Sequence, residues 1–503
     1  MTDVITGLSP EWEAVVATAL ESAAGVTVTR RCADVPEMLS VAEAGLGECA
    51  VVSADLRGLD LTTLRRLSQA GLSVIGLCPP GDEGAERRLR QLGVATVLPV
   101  DADPASFAAS VQRRAGGPTP AGLPTDGHGS GGPGSAGAVT IPDHVPDDLL
   151  DAPARRSGPV SVPQVGGLVS PASMPELPAG APAAEGWQPR GAETDVHAGG
   201  STGEWDTGDP GRAVRSTILA VWGPTGAPGR TTVAVNVAVE LASRGQEVLL
   251  VDADTYGGCI AQALGLLDEA PGLAAVCRAA DQGTLDLPAL ARLAPVVTPG
   301  LRVLTGLPRA ERWPELRAAA LERVFDLARE LTQIVVVDCG FCLEDDEELS
   351  YDTAAPRRNE ATLTALARAD TMLAVGGADP VALQRFVRAL QELGSVPSPP
   401  PVPVVNRVRS SAVGSRPEER IAESLLRFAG LDGLHFVPDD PDTVDAALLA
   451  GRSVVEHAPD SPLRGAFGEL AAAVAPWTRT RAGGRAGRRW GQGAKRIVRP
   501  AKV

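Results

Sequence analysis

WGPTGAPGRTT, residues 222–232, decides how the rest of the chain reads. It follows the apolar run TILAVW and precedes VAVNVAVELASRG, a helical pattern closed by Gly245. Strand, glycine-rich turn and helix N-terminus form the context a phosphate site requires, because backbone N–H groups there point at the anion. The phosphate-loop pattern GxxxxGK[ST] is present with two changes. Counting back from Gly229-Arg230-Thr231, arginine stands at the lysine position and Pro224 at the first glycine. Arginine keeps the charge but is planar and bulkier than lysine.

Both lysines of the chain, Lys495 and Lys502, lie in its last nine residues. Any phosphate contact in the globular part therefore comes from arginine or from the backbone. The 503 residues have room for two or three domains, and the formal charge of −16 argues against a surface built for nucleic acid. No window approaches 18 unbroken apolar residues, and MTDVITGLSPEW lacks a basic stretch followed by an apolar one. Neither a membrane span nor a signal peptide is expected, and the seven scattered cysteines read as reduced and cytoplasmic. Cys339-Gly-Phe-Cys342 has CxxC spacing but no histidine near it in sequence to complete a metal site.

Four regions follow from composition and periodicity. Residues 1–115 alternate strand patterns (VTVTRRC, CAVVSADL, LSVIGLC, VATVLPV) with amphipathic helices (PEWEAVVATALESA, VPEMLSVAEAG, TTLRRLSQAG). Residues 116–215 are so rich in Gly, Pro, Ser and Ala that a disordered linker is expected, leaving its flanking domains to move almost independently. Residues 216–476 alternate again, with TILAVW, EVLLVDAD, LRVLTG, QIVVVDCG, TMLAVGG, VPVVNRVR and LHFVPDD as strands. Residues 477–503 form a basic tail with nine Arg or Lys and no acid. The fold class expected is α/β: a doubly wound, mostly parallel sheet whose phosphate loop is of the P-loop NTPase type, preceded by a small α/β domain and the linker.

Three stretches of the large region carry further chemistry. Asp252-Ala-Asp254 ends one strand, Asp338 ends QIVVVD, and Asn406-Arg407 end PVPVVNR at the carboxyl edge where ligands sit in such sheets. With FVPDDPDTVDAALLAGRSVVE they resemble, in order, the MinD/ParA family of deviant Walker ATPases, most closely its CpaE/TadZ-like branch. The resemblance covers about 260 residues. It implies ATP and Mg²⁺ as cofactors, with Gly226, Ala227, Pro228, Gly229, Arg230, Thr231 and Thr232 as the loop contacts. On the same basis Thr231 would hold Mg²⁺, Asp338 would hold it through water, and Asp254 would orient the attacking water beside Arg230. Asn406 would read the adenine edge, with Pro438 and Asp439 lining the base pocket.

The family usually carries a second, signature lysine that reaches across a dimer; that position here is Thr225. Arg357 or Arg358, in the insertion CLEDDEELSYDTAAPRRNEATL, is the candidate for a charge supplied in trans. Slow ATP hydrolysis and binding without turnover both remain open.

The small domain resembles a response-regulator receiver, with Asp55 near the phosphoacceptor position. VITGLSP lacks the acidic pair and VLPVDADP the lysine that Mg²⁺-dependent phosphorylation needs, so a pseudo-receiver used for docking is expected. The implied function is a nucleotide-dependent homodimer switch that positions a cellular machine: a Flp/Tad-type pilus or secretion apparatus, or a division septum. Its protein partners would dock on the pseudo-receiver. The location would be cytoplasmic, with weak contact of the tail on an anionic inner membrane face. A non-hydrolysing scaffold of the same fold and a ParA-like DNA-partitioning ATPase are the alternatives, and the acidic bulk argues against the last.

Overall fold

In the large sheet, Ile218, Ala220 and Trp222 of TILAVW face one apolar layer while Leu219 and Val221 face another. A strand buried on both faces needs no polar alternation, and this one sits in the middle of a parallel sheet for that reason. The computed structural model describes residues 1–113, 216–266, 272–345 and 356–475. The expected linker and basic tail, and the middle of the acidic insertion, lie outside the described residues.

The first sheet joins β1 (Thr2–Gly7), β2 (Val26–Cys32), β3 (Cys49–Ser53), β4 (Ser73–Cys78) and β5 (Thr96–Pro99). Their order is β2-β1-β3-β4-β5, all parallel, with helices packed in two apolar clusters. The three helices legible in the sequence form as Pro10–Glu21, Val35–Glu43 and Leu61–Gln69. Two more, Glu83–Gln91 and Pro104–Gln112, were not legible: the former is EGAERRLRQ and buries Leu89 alone, too little for a periodic apolar signal.

The second sheet contains β6 (Thr217–Trp222), β7 (Val248–Ala253), β8 (Val296–Thr298), β9 (Leu301–Leu304), β10 (Ile334–Cys339), β11 (Thr371–Gly377), β12 (Pro401–Val408) and β13 (His435–Pro438). The order is β13-β12-β11-β6-β10-β7-β9-β8, parallel except for the β8–β9 pair. Strand β8, three residues at the edge, is the one the sequence does not announce. The connection from β6 runs past β10 to β7, and the one from β10 runs back past β6 to β11, so the carboxyl ends of β6 and β10 flank a topological switch point. The quoted loop starts there.

The two sheets are not independent, contrary to the expectation drawn from the linker. Arg88, on Glu83–Gln91, donates to the carbonyls of Ala54 and Leu59 in its own domain and of Gln282 in the other. Arg317 pairs with Asp60 at 3.2 Å and Arg65 with Glu322 at 2.5 Å. Composition reports how a linker behaves, and this contact depends on complementary side chains on either side of it.

Asp281 sits at this contact and accepts a weak hydrogen bond of 3.4 Å from Thr62. Burial pushes its carboxyl up to about 6 from an ordinary 3.8, against the opposing pull of Arg317, while Asp60 and Glu360 add to the rise. The native state therefore holds a proton that the unfolded chain releases, and this group's stabilisation fades as pH rises from about 4 to about 6. Asp281→Asn is expected to flatten that part of the stability–pH curve. Denaturant titrations of both proteins at pH 4.5, 5.5 and 7 check it, and parallel curves would contradict it.

Candidate functional site

Between β6 and the helix Arg230–Ser243, the loop takes positive φ at Gly226 (100°), Ala227 (52°) and Gly229 (96°). Successive turns of this hand aim backbone N–H groups into one concavity, the nest used for anions. Ala227 adopts the conformation at a cost of order 1 kcal/mol, which the surrounding structure has to hold. Gly229 is required twice over, since a Cβ there would also stand 2.3 Å from Asn406 Nδ2. Neighbouring helices are closed by aspartates, Asp379 and Asp440 accepting from Ala382 and Thr443. The helix after the loop has no side-chain cap. Its N-terminal donors are left for a ligand.

Thr231, in the first turn, donates from Oγ1 to Asp338 Oδ2 at 2.6 Å. Strand register brings Asp338 beside Val221 of β6 on one side and Asp252 of β7 on the other. Asp254 follows two residues later and is 7 % exposed. Three buried carboxylates thus share one end of the sheet. Burial, reinforced by the charge of Asp252, holds Asp338 well above the usual carboxylate range. Burial likewise raises Asp252 to about 7, although the backbone N–H of Ile260 works against the rise.

Arg230 is the partly buried cation beside these acids. It pairs with Asp254 at 3.1 Å and donates to the carbonyls of Gly223 and Pro224, both at 3.1 Å. Its guanidinium carbon lies 6.0 Å from the Phe341 ring centroid. Arg230 therefore occupies the region where its motif places the lysine, while holding the acid expected to orient water.

The residues fit Mg²⁺ and a polyphosphate. Asp338 Oδ1 and Arg230 Nε are both buried without a hydrogen-bond partner among the described residues. Oxygen ligands beside a hydroxyl are the donor set a hard divalent cation takes.

A cavity of about 450 Å³ opens beside the loop, bordered by Thr232, Asn406, Pro438, Asp439, Val444 and Phe467. Its volume suits a small ligand. Asn406 lines it, but its Nδ2 donates to Pro228 O at 2.8 Å and its Oδ1 accepts from Arg407 N. Its amide ties β12 to the loop in this state, so a base edge would have to compete for it. Asp439 pairs with Arg409 at 3.4 Å.

The two insertion arginines part company. Arg357 pairs with Asp345, whereas Arg358 lies over the Tyr256 ring at 4.1 Å. Tyr256 contacts Phe341 at 4.8 Å between centroids, and its hydroxyl donates to Asn359 Oδ1 at 2.8 Å. Tyr256, Phe341 and Asn359 were not anticipated. Aromatics make up 3 % of the chain, and two of the few standing just past candidate acids was the available signal. In the small domain Asp55 is exposed, while Ser53 accepts from Ser9 N at 2.9 Å. Of the cysteines, Cys339 is buried and Cys342 accepts from Asn359.

Residues 219–450 match the CobQ/CobB/MinD/ParA nucleotide binding domain. An uncharacterized ATP-binding protein of Methanocaldococcus jannaschii is 25% identical over 256 residues, 50% of this chain and 86% of that protein. A ParA family ATPase from Chlorobium tepidum is similar in structure, with TM-score 0.43, 18% identity, and coverage of 51% of this chain and 98% of that one. The septum site-determining protein MinD of Pyrococcus horikoshii, solved with Mg-ADP, has TM-score 0.41 and 19% identity, covering 52% and 96%.

Proposed function

We propose that this chain is a CpaE-like positioning factor whose large domain binds ATP with Mg²⁺ and pairs with a second copy in response. The observation that carries the nucleotide reading is the Thr231–Asp338 hydrogen bond beneath an uncapped helix, with Asp338 Oδ1 unpartnered. In this reading the backbone of residues 226–229 and the first turn of the helix hold the phosphates. Arg230 meets the β- and γ-phosphates, exchanging part of its contact with the loop carbonyls and Asp254 for them. Thr231 and Asp338 would hold Mg²⁺, which neutralises phosphate charge. Asp254, released from Arg230, is then free to orient water. The base enters the cavity bordered by Pro438 and Asp439.

The small domain serves as a docking module. Asp55 is exposed, and the positions flanking it carry Leu8-Ser9 and Val100 where a phosphorylated receiver needs acids and a lysine. The machine positioned is a pilus, secretion or division assembly, approached from the inner face of the membrane. Among the described residues no helix is long and apolar enough to cross it.

One observation favours a second reading, in which nucleotide is bound and not turned over. Asp254 is committed to Arg230 and also accepts from the N–H groups of Tyr256 and Gly257. Light scattering of the full chain with ATP and Mg²⁺, ADP and Mg²⁺, or neither tests the switch. A doubled mass with ATP alone is expected; one mass in all three conditions would refute it. Phosphate release over the same samples separates the two readings.

A further inference from the structure

Of four arginines that could serve the loop and its acids, three are engaged. Arg230 holds Asp254 and two carbonyls, Arg357 holds Asp345, and Arg358 lies on Tyr256. The fourth is Arg385, on the helix Pro380–Leu393 that follows β11. It is exposed and makes no ion pair or hydrogen bond among the described residues. Its guanidinium nevertheless reaches the loop: a Cβ built on Gly226 would lie 2.5 Å from Arg385 Nη1 and 3.6 Å from its Cζ.

The guanidinium thus fills the space that a side chain at 226 would take. Gly226 has φ of 100°, and its neighbours Thr225 and Ala227 are exposed, so Arg385 stands at the open crest of the nest. The pairing inside the site leaves a role for such a cation. Arg230, the partly buried cation of the site, is already paired with Asp254. A triphosphate seated on the loop would bring more negative charge than an arginine already paired with Asp254 offsets. An uncommitted planar guanidinium can bind two phosphate oxygens at once.

We propose that Arg385 is the second phosphate cation of this site, binding the terminal phosphate of a nucleoside triphosphate seated on the 223–229 loop. The inference rests on the nucleotide reading above and adds to it a residue and a preference for triphosphate over diphosphate.

The test is calorimetric titration of the full chain with Mg²⁺ and either ATP or ADP, in wild type, Arg385→Ala, Arg385→Lys and Arg388→Ala. Arg388 is also exposed and lies one turn further along the same helix. Arg385→Ala is expected to weaken ATP binding about tenfold or more, the range of a charge-assisted hydrogen bond, and ADP binding less than threefold. Arg385→Lys should recover part of the loss, and Arg388→Ala should match wild type. ATP affinity within twofold of wild type in Arg385→Ala overturns the assignment. Equal weakening of ATP and ADP also overturns it, because that marks a role in loop shape. A wild type that binds neither nucleotide removes the underlying reading, a failure distinct from either.

Discussion

Arg230→Ala is expected to lower the stability of the protein by about 3 kcal/mol as well as to abolish nucleotide binding. The side chains of Arg230 and Asp254 are 12 % and 7 % exposed. Removing one member of a buried ion pair leaves the other desolvated and uncompensated, which typically costs about 3–5 kcal/mol. The lower end applies here, because Asp254 keeps the N–H groups of Tyr256 and Gly257. The carbonyls of Gly223 and Pro224 lose their donor in the same substitution. Arg230→Ala combined with Asp254→Ala should be more stable than Arg230→Ala alone, since no orphaned carboxylate remains. Urea unfolding of wild type, both single variants and the double variant measures the coupling. Additive losses would show that the pair contributes nothing as a pair.

Asp338→Asn separates the metal from the loop. Asparagine keeps an oxygen for Thr231 and removes the charge a divalent cation needs. Affinity for ATP with Mg²⁺ should fall about 10- to 100-fold, the usual loss when a metal site is altered in this way. Affinity measured in the presence of a chelator should change by less than about threefold, because the nest and Arg230 are untouched. The variant should be at least as stable as wild type without ligand, since Asp338 is buried with one oxygen unpartnered. Thermal midpoints with and without Mg²⁺ and ATP give both readouts. Equal Mg²⁺ dependence in variant and wild type would remove Asp338 from the metal's surroundings.

The architecture was legible where burial leaves a long apolar run. QIVVVDCG, EVLLVDAD and TILAVW announce three adjacent central strands, and the turn that follows the last announces the switch point. Short or polar elements were not: β8 spans three edge residues, and Glu83–Gln91 buries one side chain. At the candidate site, the loop pattern marked Arg230 and Thr231 and the strand ends marked Asp254 and Asp338, and the convergence of these four follows from β6, β10 and β7 being neighbours in register. Spacing could not show that Arg230 would be held by Asp254, or that Asn406 would serve the loop. Those depend on distances between elements far apart in sequence. Arg385 lies 159 positions beyond Gly226 and belongs to no motif; only the reach of its side chain to the loop brings it there. The contact between the small and large domains was hidden for a related reason, since linker composition carries no information about the surfaces at its two ends.

The central claim is that the 223–229 loop and Asp338 form a nucleotide site despite the arginine at position 230. Calorimetric titration of ATP with Mg²⁺ into the full chain, beside ADP with Mg²⁺, tests it most directly. The account predicts saturable binding in the micromolar range, one nucleotide per chain, weakened when Mg²⁺ is chelated. No heat from either nucleotide, together with an unshifted thermal midpoint at millimolar ATP, would contradict it and leave the fold as a scaffold for protein partners.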